Sequence, residues 1–175
     1  SLLIVRNGKL VTEAYWHPYS ADTRHSIESN TKSIIGTLVG IAIERGDLQG
    51  VDQKLVDFFP QRTIRKNDEQ KKAISLKNLL SMTPGLTCQD LSSEGQGVFA
   101  AQDWVQYLLD LPVSDTPGTR WIYCSGAAHL LSAILQEATG MDARSYANTT
   151  LFKPLGIDDV MVEDWGNDPN GVTNG

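Results

Sequence analysis

The hydrophobic and polar positions change rhythm several times along this chain. Residues 2–5 and 10–16 are apolar-rich runs separated by Arg6-Asn7-Gly8-Lys9. An Asn-Gly pair accepts positive φ at both centres of a tight turn, so the two runs read as a β-hairpin. A lone hairpin is marginal in water and needs more strands or a helix against it. No second convincing strand pair follows, so its partner strands are expected outside this chain. From Thr31 to Arg45 the residues Ile34, Ile35, Leu38, Val39, Ile41, Ala42 and Ile43 point in nearly all directions on a helical wheel. That pattern predicts a central, buried helix, with Gly46 as its C-cap.

Further on, Asp57-Phe58-Phe59-Pro60 leads into a charged stretch from Arg62 to Lys72, read as a solvated loop or short surface helix. Ser75 is placed to cap a helix over 76–82 that Pro84-Gly85 ends. Residues 88–100, with Gly95 and Gly97, read as a loop. Asp103 caps a helix through Leu111, and Pro112, Pro117 and Gly118 mark another turn. Ser125 opens a third strong helix, carrying Leu130, Leu131, Ala133, Ile134 and Leu135 and ending at Gly140; 142–151 gives a short one. The pattern is α+β, with a β piece over 1–25 and a mainly helical body over 26–175.

Composition narrows the function. The 175 residues are 41% hydrophobic and 21% charged, a globular balance. A chain of this length buries roughly 70% of its unfolded surface without needing disulfides. The net charge of −6 argues against nucleic acid as the main partner, because phosphate neutralisation needs a basic surface. No apolar run is long enough to span a membrane. No basic-then-apolar leader is visible, and both a periplasmic or secreted and a cytoplasmic location stay open. Both ends read as cuts from a longer protein. Cys88 and Cys124 are too few for a disulfide scaffold, although they are free to pair.

The candidate chemistry starts at Ser29 and Lys32. Residues i and i+3 share a helix face, with Cβ atoms about 5–6 Å apart, so the amine reaches the hydroxyl. The positive end of the helix favours an alkoxide at Ser29. Desolvation by Ile34 and Ile35 favours a neutral, proton-accepting amine at Lys32. The plainer alternative is a capping serine followed by a solvated lysine. Tyr123-Cys124-Ser125 follows the Pro117-Gly118 turn and offers a phenol and a second hydroxyl, with Ser125 as N-cap the plain alternative. His17, His25 and His129 show no metal-ligand spacing, and no cofactor is called for. His129 reads as a packing residue rather than a base, and Cys124 as a small buried apolar residue rather than a nucleophile. His25 reads as solvated. Trp16, Trp104 and Trp121 read as core or cleft walls.

The motifs together resemble a known family. Ser29-Asn30-Thr31-Lys32 after a hairpin is similar to the Ser-x-x-Lys motif of serine β-lactamases and penicillin-binding proteins. Leu79-Leu80-Ser81-Met82-Thr83-Pro84-Gly85-Leu86, Tyr123-Cys124-Ser125-Gly126 and Leu151-Phe152-Lys153-Pro154-Leu155-Gly156 resemble the three landmarks that follow it there. The Tyr-x-Ser variant resembles the class-C-like branch, with carboxylesterases and 6-aminohexanoate-dimer hydrolases. The resemblance implies a transpeptidase-like fold, here its helical domain plus the hairpin of an incomplete α/β domain. It makes Ser29 the nucleophile, Lys32 and Tyr123 its proton shuttle, Ser125 a substrate contact and the Ser29 N–H half of an oxyanion hole. An ester, amide or β-lactam would be cleaved through an acyl-serine.

Neither Lys-Thr-Gly nor His-x-Gly, the family's third motif, occurs here. That strand supplies the other oxyanion donor, whose loss typically costs about 100- to 1,000-fold in turnover. The chain alone is therefore expected to be inactive without a C-terminal half. Ser125 in place of Asn points to esters or amides over β-lactams. Two other readings stand beside this one: a D-alanyl-D-alanine peptidase or penicillin-binding protein, and a non-catalytic binding module on the same fold.

Overall fold

A computed structural model of the chain describes residues 1–66, 68–157 and 165–175. It opens with β1 (Leu2–Arg6) and β2 (Lys9–Ala14). They pair antiparallel from Leu2 opposite Ala14 to Arg6 opposite Lys9, with one irregularity between Ile4 and Val5. Asn7 and Gly8 have φ of 51° and 72°, as the Asn-Gly turn requires. Among the described residues no third strand joins this sheet. Leu3 and Val5 are 52% and 66% exposed.

The helices are α1 (Thr31–Arg45), α2 (Glu69–Ala73), α3 (Leu76–Leu80), α4 (Ser93–Gly97), α5 (Trp104–Asp110), α6 (Ser125–Thr139) and α7 (Ala143–Ala147). Their ends follow the expected chemistry. Ser75 and Asn78 close a capping box at α3. The Asp103 carboxylate accepts the Gln106 N–H at the start of α5, and Gly46 ends α1 at φ 83°.

The core is centred on α6 rather than on α1. All residues from Gly126 to Leu135 are buried. Helix α1 buries one stripe, Ile35, Leu38, Val39 and Ala42, spaced one turn apart along the face toward α6. Ser33, Thr37, Gly40 and Glu44 are exposed, and Ile34, Ile41 and Ile43 are only half-buried. The helical wheel counts apolar residues but not which neighbours arrive to cover them. Small residues decide the matter for α6: Gly126 lies directly against the Leu108 side chain of α5, where a Cβ would collide.

Four local expectations are corrected. Gly95 and Gly97 lie in the helical turn α4, capped by Ser92, whose hydroxyl accepts the Gly95 N–H at 3.0 Å. The charged stretch is not uniformly wet (its Asn67 is outside the described residues). Lys71 is fully buried, donating to the carbonyls of Leu109 (2.7 Å) and Leu111 where α5 ends. Such carbonyls have no partner within their own helix, and a cation suits that end. Ser125 opens α6, as expected, but the N-cap is Cys124 rather than Ser125. Cys124 is also not a free buried thiol: it is joined to Cys88, with Cα atoms 5.4 Å apart.

Candidate active site

Ser29 sits in a short 3-10 turn, Glu28–Asn30, that runs directly into α1. Glu28 takes φ 45°, a left-handed conformation that costs a non-glycine residue about 1–3 kcal/mol and is found preferentially at functional sites. Ser26 braces it locally, donating to the Glu28 carboxylate at 2.8 Å. This turn leaves Ser29 exposed at the positive end of α1. One turn on, the half-buried Lys32 donates from Nζ to Ser29 Oγ at 3.3 Å. Hydroxyl and amine are thus brought together as their spacing predicts.

Tyr123 arrives from a distant part of the chain. Lys32 Nζ lies 5.4 Å from the centroid of its ring, within cation–π range, and the ring is 37% exposed. Trp121, 64% exposed, leans toward it with centroids 6.4 Å apart. Tyr123 is aimed by crossed backbone bonds: Ile122 N–H donates to Met82 O at 3.0 Å, and Asp90 N–H to Tyr123 O at 3.2 Å. The half-buried Ser125 gives its hydroxyl to Asp90 Oδ2 at 2.7 Å and its N–H to Asp90 Oδ1 at 2.6 Å. Sequence reasoning missed Asp90, since a lone aspartate in a loop carries no periodic or spacing signal.

Ser29 and Lys32 open onto a cleft of about 770 Å³ whose far wall includes Phe152, Trp165 and Asn174. The turn between Trp165 and Asn174 is held by Asp168. Asp168 accepts the N–H groups of Asn170 and Val172, both at 2.9 Å, and its other oxygen lies 3.2 Å from His129 Nε2. His129 is buried, and its ring packs 5.4 Å from that of Trp104. It is a packing residue on α6, and burial holds its imidazole below the ordinary value against the pull of Asp168 and Asp103. His25 stacks on Tyr19 at the surface, with centroids 4.7 Å apart. Trp16 is 58% exposed, so neither it nor Trp121 belongs to the core. Among the described residues no group of three or more His, Cys, Asp or Glu is placed to hold a metal. No helix there is long and apolar enough to cross a membrane.

The arrangement is a hydroxyl and an amine in contact, at a helix N-terminus, on an open cleft. It has the parts for nucleophilic attack on a carbonyl. The family model described as Beta-lactamase matches residues 1–175, and the chain belongs to that family. Among relatives, it is 28% identical over 166 residues to the acyltransferase mokF of Monascus pilosus, covering 83% of this chain and 40% of the relative. It is 27% identical over 155 residues to the esterase EstB of Burkholderia gladioli, covering 81% of this chain and 39% of the relative. In structure it is similar to a putative 6-aminohexanoate-dimer hydrolase from Bacillus anthracis, with a TM-score of 0.70 and 15% identity, covering 98% of this chain and 48% of that one. The fold is therefore of the β-lactamase/transpeptidase type. The chain spans about 40% of the length of the curated relatives it matches.

Proposed function

We propose that the protein carrying this chain is a serine hydrolase acting on small ester or amide substrates, β-lactams included, through an acyl-serine intermediate. The observation that carries the reading is the 3.3 Å contact between Lys32 Nζ and Ser29 Oγ at the mouth of the cleft. Ser29 Oγ attacks the substrate carbonyl while its proton passes into the pair formed by Lys32 and Tyr123. The same proton is then given to the leaving alcohol or amine as the acyl–leaving-group bond breaks. Water attacks the acyl-serine next, forming the acid and restoring the Ser29 hydroxyl. The Ser29 N–H stabilises the tetrahedral oxyanion, and Ser125 accepts a hydrogen bond from substrate.

On this reading residues 1–25 belong to an α/β domain completed by chain outside these 175 residues, and residues 26–175 form the helical domain. The second oxyanion donor comes from the completing part. The relatives described as an esterase and an acyltransferase favour acyl transfer over a purely binding role. A fluorescent fluorophosphonate tests this. The whole protein is expected to be labelled, with labelling lost in Ser29→Ala and cut at least ~100-fold in Lys32→Ala, the scale of losing a positioned general base. Equal labelling of wild type and Ser29→Ala overturns the reading. Faster acylation by a fluorescent penicillin than by a chromogenic ester moves the assignment to a penicillin-binding protein.

A further inference from the structure

We propose that Asp90 is a positioning residue for the Tyr123–Ser125 turn, acting through the Ser125 hydroxyl; the inference rests on the serine-hydrolase reading above. Three bonds from one residue reach this turn. The two carboxylate oxygens of Asp90 accept the Ser125 N–H at 2.6 Å and the Ser125 hydroxyl at 2.7 Å, and its own N–H donates to the Tyr123 carbonyl at 3.2 Å. The residue between, Cys124, is covalently joined to Cys88, two positions before Asp90. The strap bearing Asp90 and the turn bearing the phenol are therefore tied together.

The carboxylate does two things here. It places negative charge at the N-terminus of α6, where the helix favours it. It also takes the only proton of the Ser125 hydroxyl. The Ser125 oxygen is left with lone pairs alone for any other partner, so it accepts and does not donate. Such an oxygen suits an N–H or ammonium group of a substrate better than a carbonyl. The site thereby prefers substrates that present a donor near the scissile bond, as a secondary amide does and a simple ester does not. An asparagine at position 90 keeps the shape, yet its amide has one accepting oxygen instead of two.

The test is a double-mutant cycle on the whole protein, reading the rate at which a fluorophosphonate labels Ser29, with fluoride leaving phosphorus, at a temperature where circular dichroism shows every variant folded. Asp90→Asn is expected to slow labelling about tenfold, within the roughly 100-fold that misplacing a reacting group by 1 Å can cost. Introduced into Ser125→Ala, it is expected to slow labelling less than about twofold. A purely structural role, through the Ser125 N–H and the Tyr123 carbonyl, persists in both backgrounds and gives equal losses. Equal losses, or no loss in either background, overturn the inference for Asp90 while leaving the labelled serine intact. A wild type that takes no label overturns both readings. If Asp90→Asn does not fold, Ser125→Ala alone decides. An amide-to-ester preference, in kcat/KM, reduced at least about fivefold supports the acceptor role, and an unchanged preference overturns it.

Discussion

Replacing Lys71 with methionine tests how this fold tolerates a buried cation. Lys71 is fully shielded from solvent and donates to the carbonyls of Leu109 and Leu111. Methionine fills the same volume without the ammonium, so the change removes donors and charge and leaves no large void. Each carbonyl left buried without a donor costs about 1–3 kcal/mol. The α5 terminus also loses a favourable charge, about 0.3–1 kcal/mol. Against this, the desolvation of an ammonium is no longer paid. Burial does push the Lys71 pKa down, with Asp110 and Asp68 pulling it back, so that cost is real but partly offset. The net expectation for Lys71→Met is a loss of about 2–4 kcal/mol, which lowers Tm by roughly 5–15 °C in a domain of this size. Thermal denaturation of the whole protein, with hydrogen exchange at the α5 amides, measures both the size and the place of the loss. A variant as stable as wild type, or more so, refutes the reasoning. It would mean that desolvation outweighs the two bonds, as it does for many buried ion pairs.

Two further outcomes follow from the same structure. The Cys88–Cys124 bond spans 36 residues of sequence, and the loop-entropy relation gives it about 4 kcal/mol. Dithiothreitol should lower the denaturant midpoint once both thiols titrate as free, and an unchanged midpoint contradicts this. Burial holds His129 below its ordinary pKa of 6.5 in the folded chain. The unfolded chain then binds more protons there, so stability is full above about pH 6.5 and falls as pH drops through the folded-state value. His129→Gln should flatten that part of the pH dependence of Tm. A wild-type Tm that rises on mild acidification is the opposite result.

Local chemistry was legible in the order of residues. The Asn7-Gly8 turn, the Ser75 and Asp103 caps, the Gly46 terminus and the approach of Lys32 to Ser29 all arise within a few positions of the chain. Such features depend on backbone preferences and on helical spacing, both of which a sequence carries by itself. The tertiary structure alone decided which helix is central, because burial depends on what packs against a face. It alone buried Lys71 beneath the end of α5, joined Cys88 to Cys124, and brought Asp90 against Ser125. Each of those contacts joins residues about 35–40 positions apart, and no local rule specifies a meeting that only the closure of the whole core makes favourable.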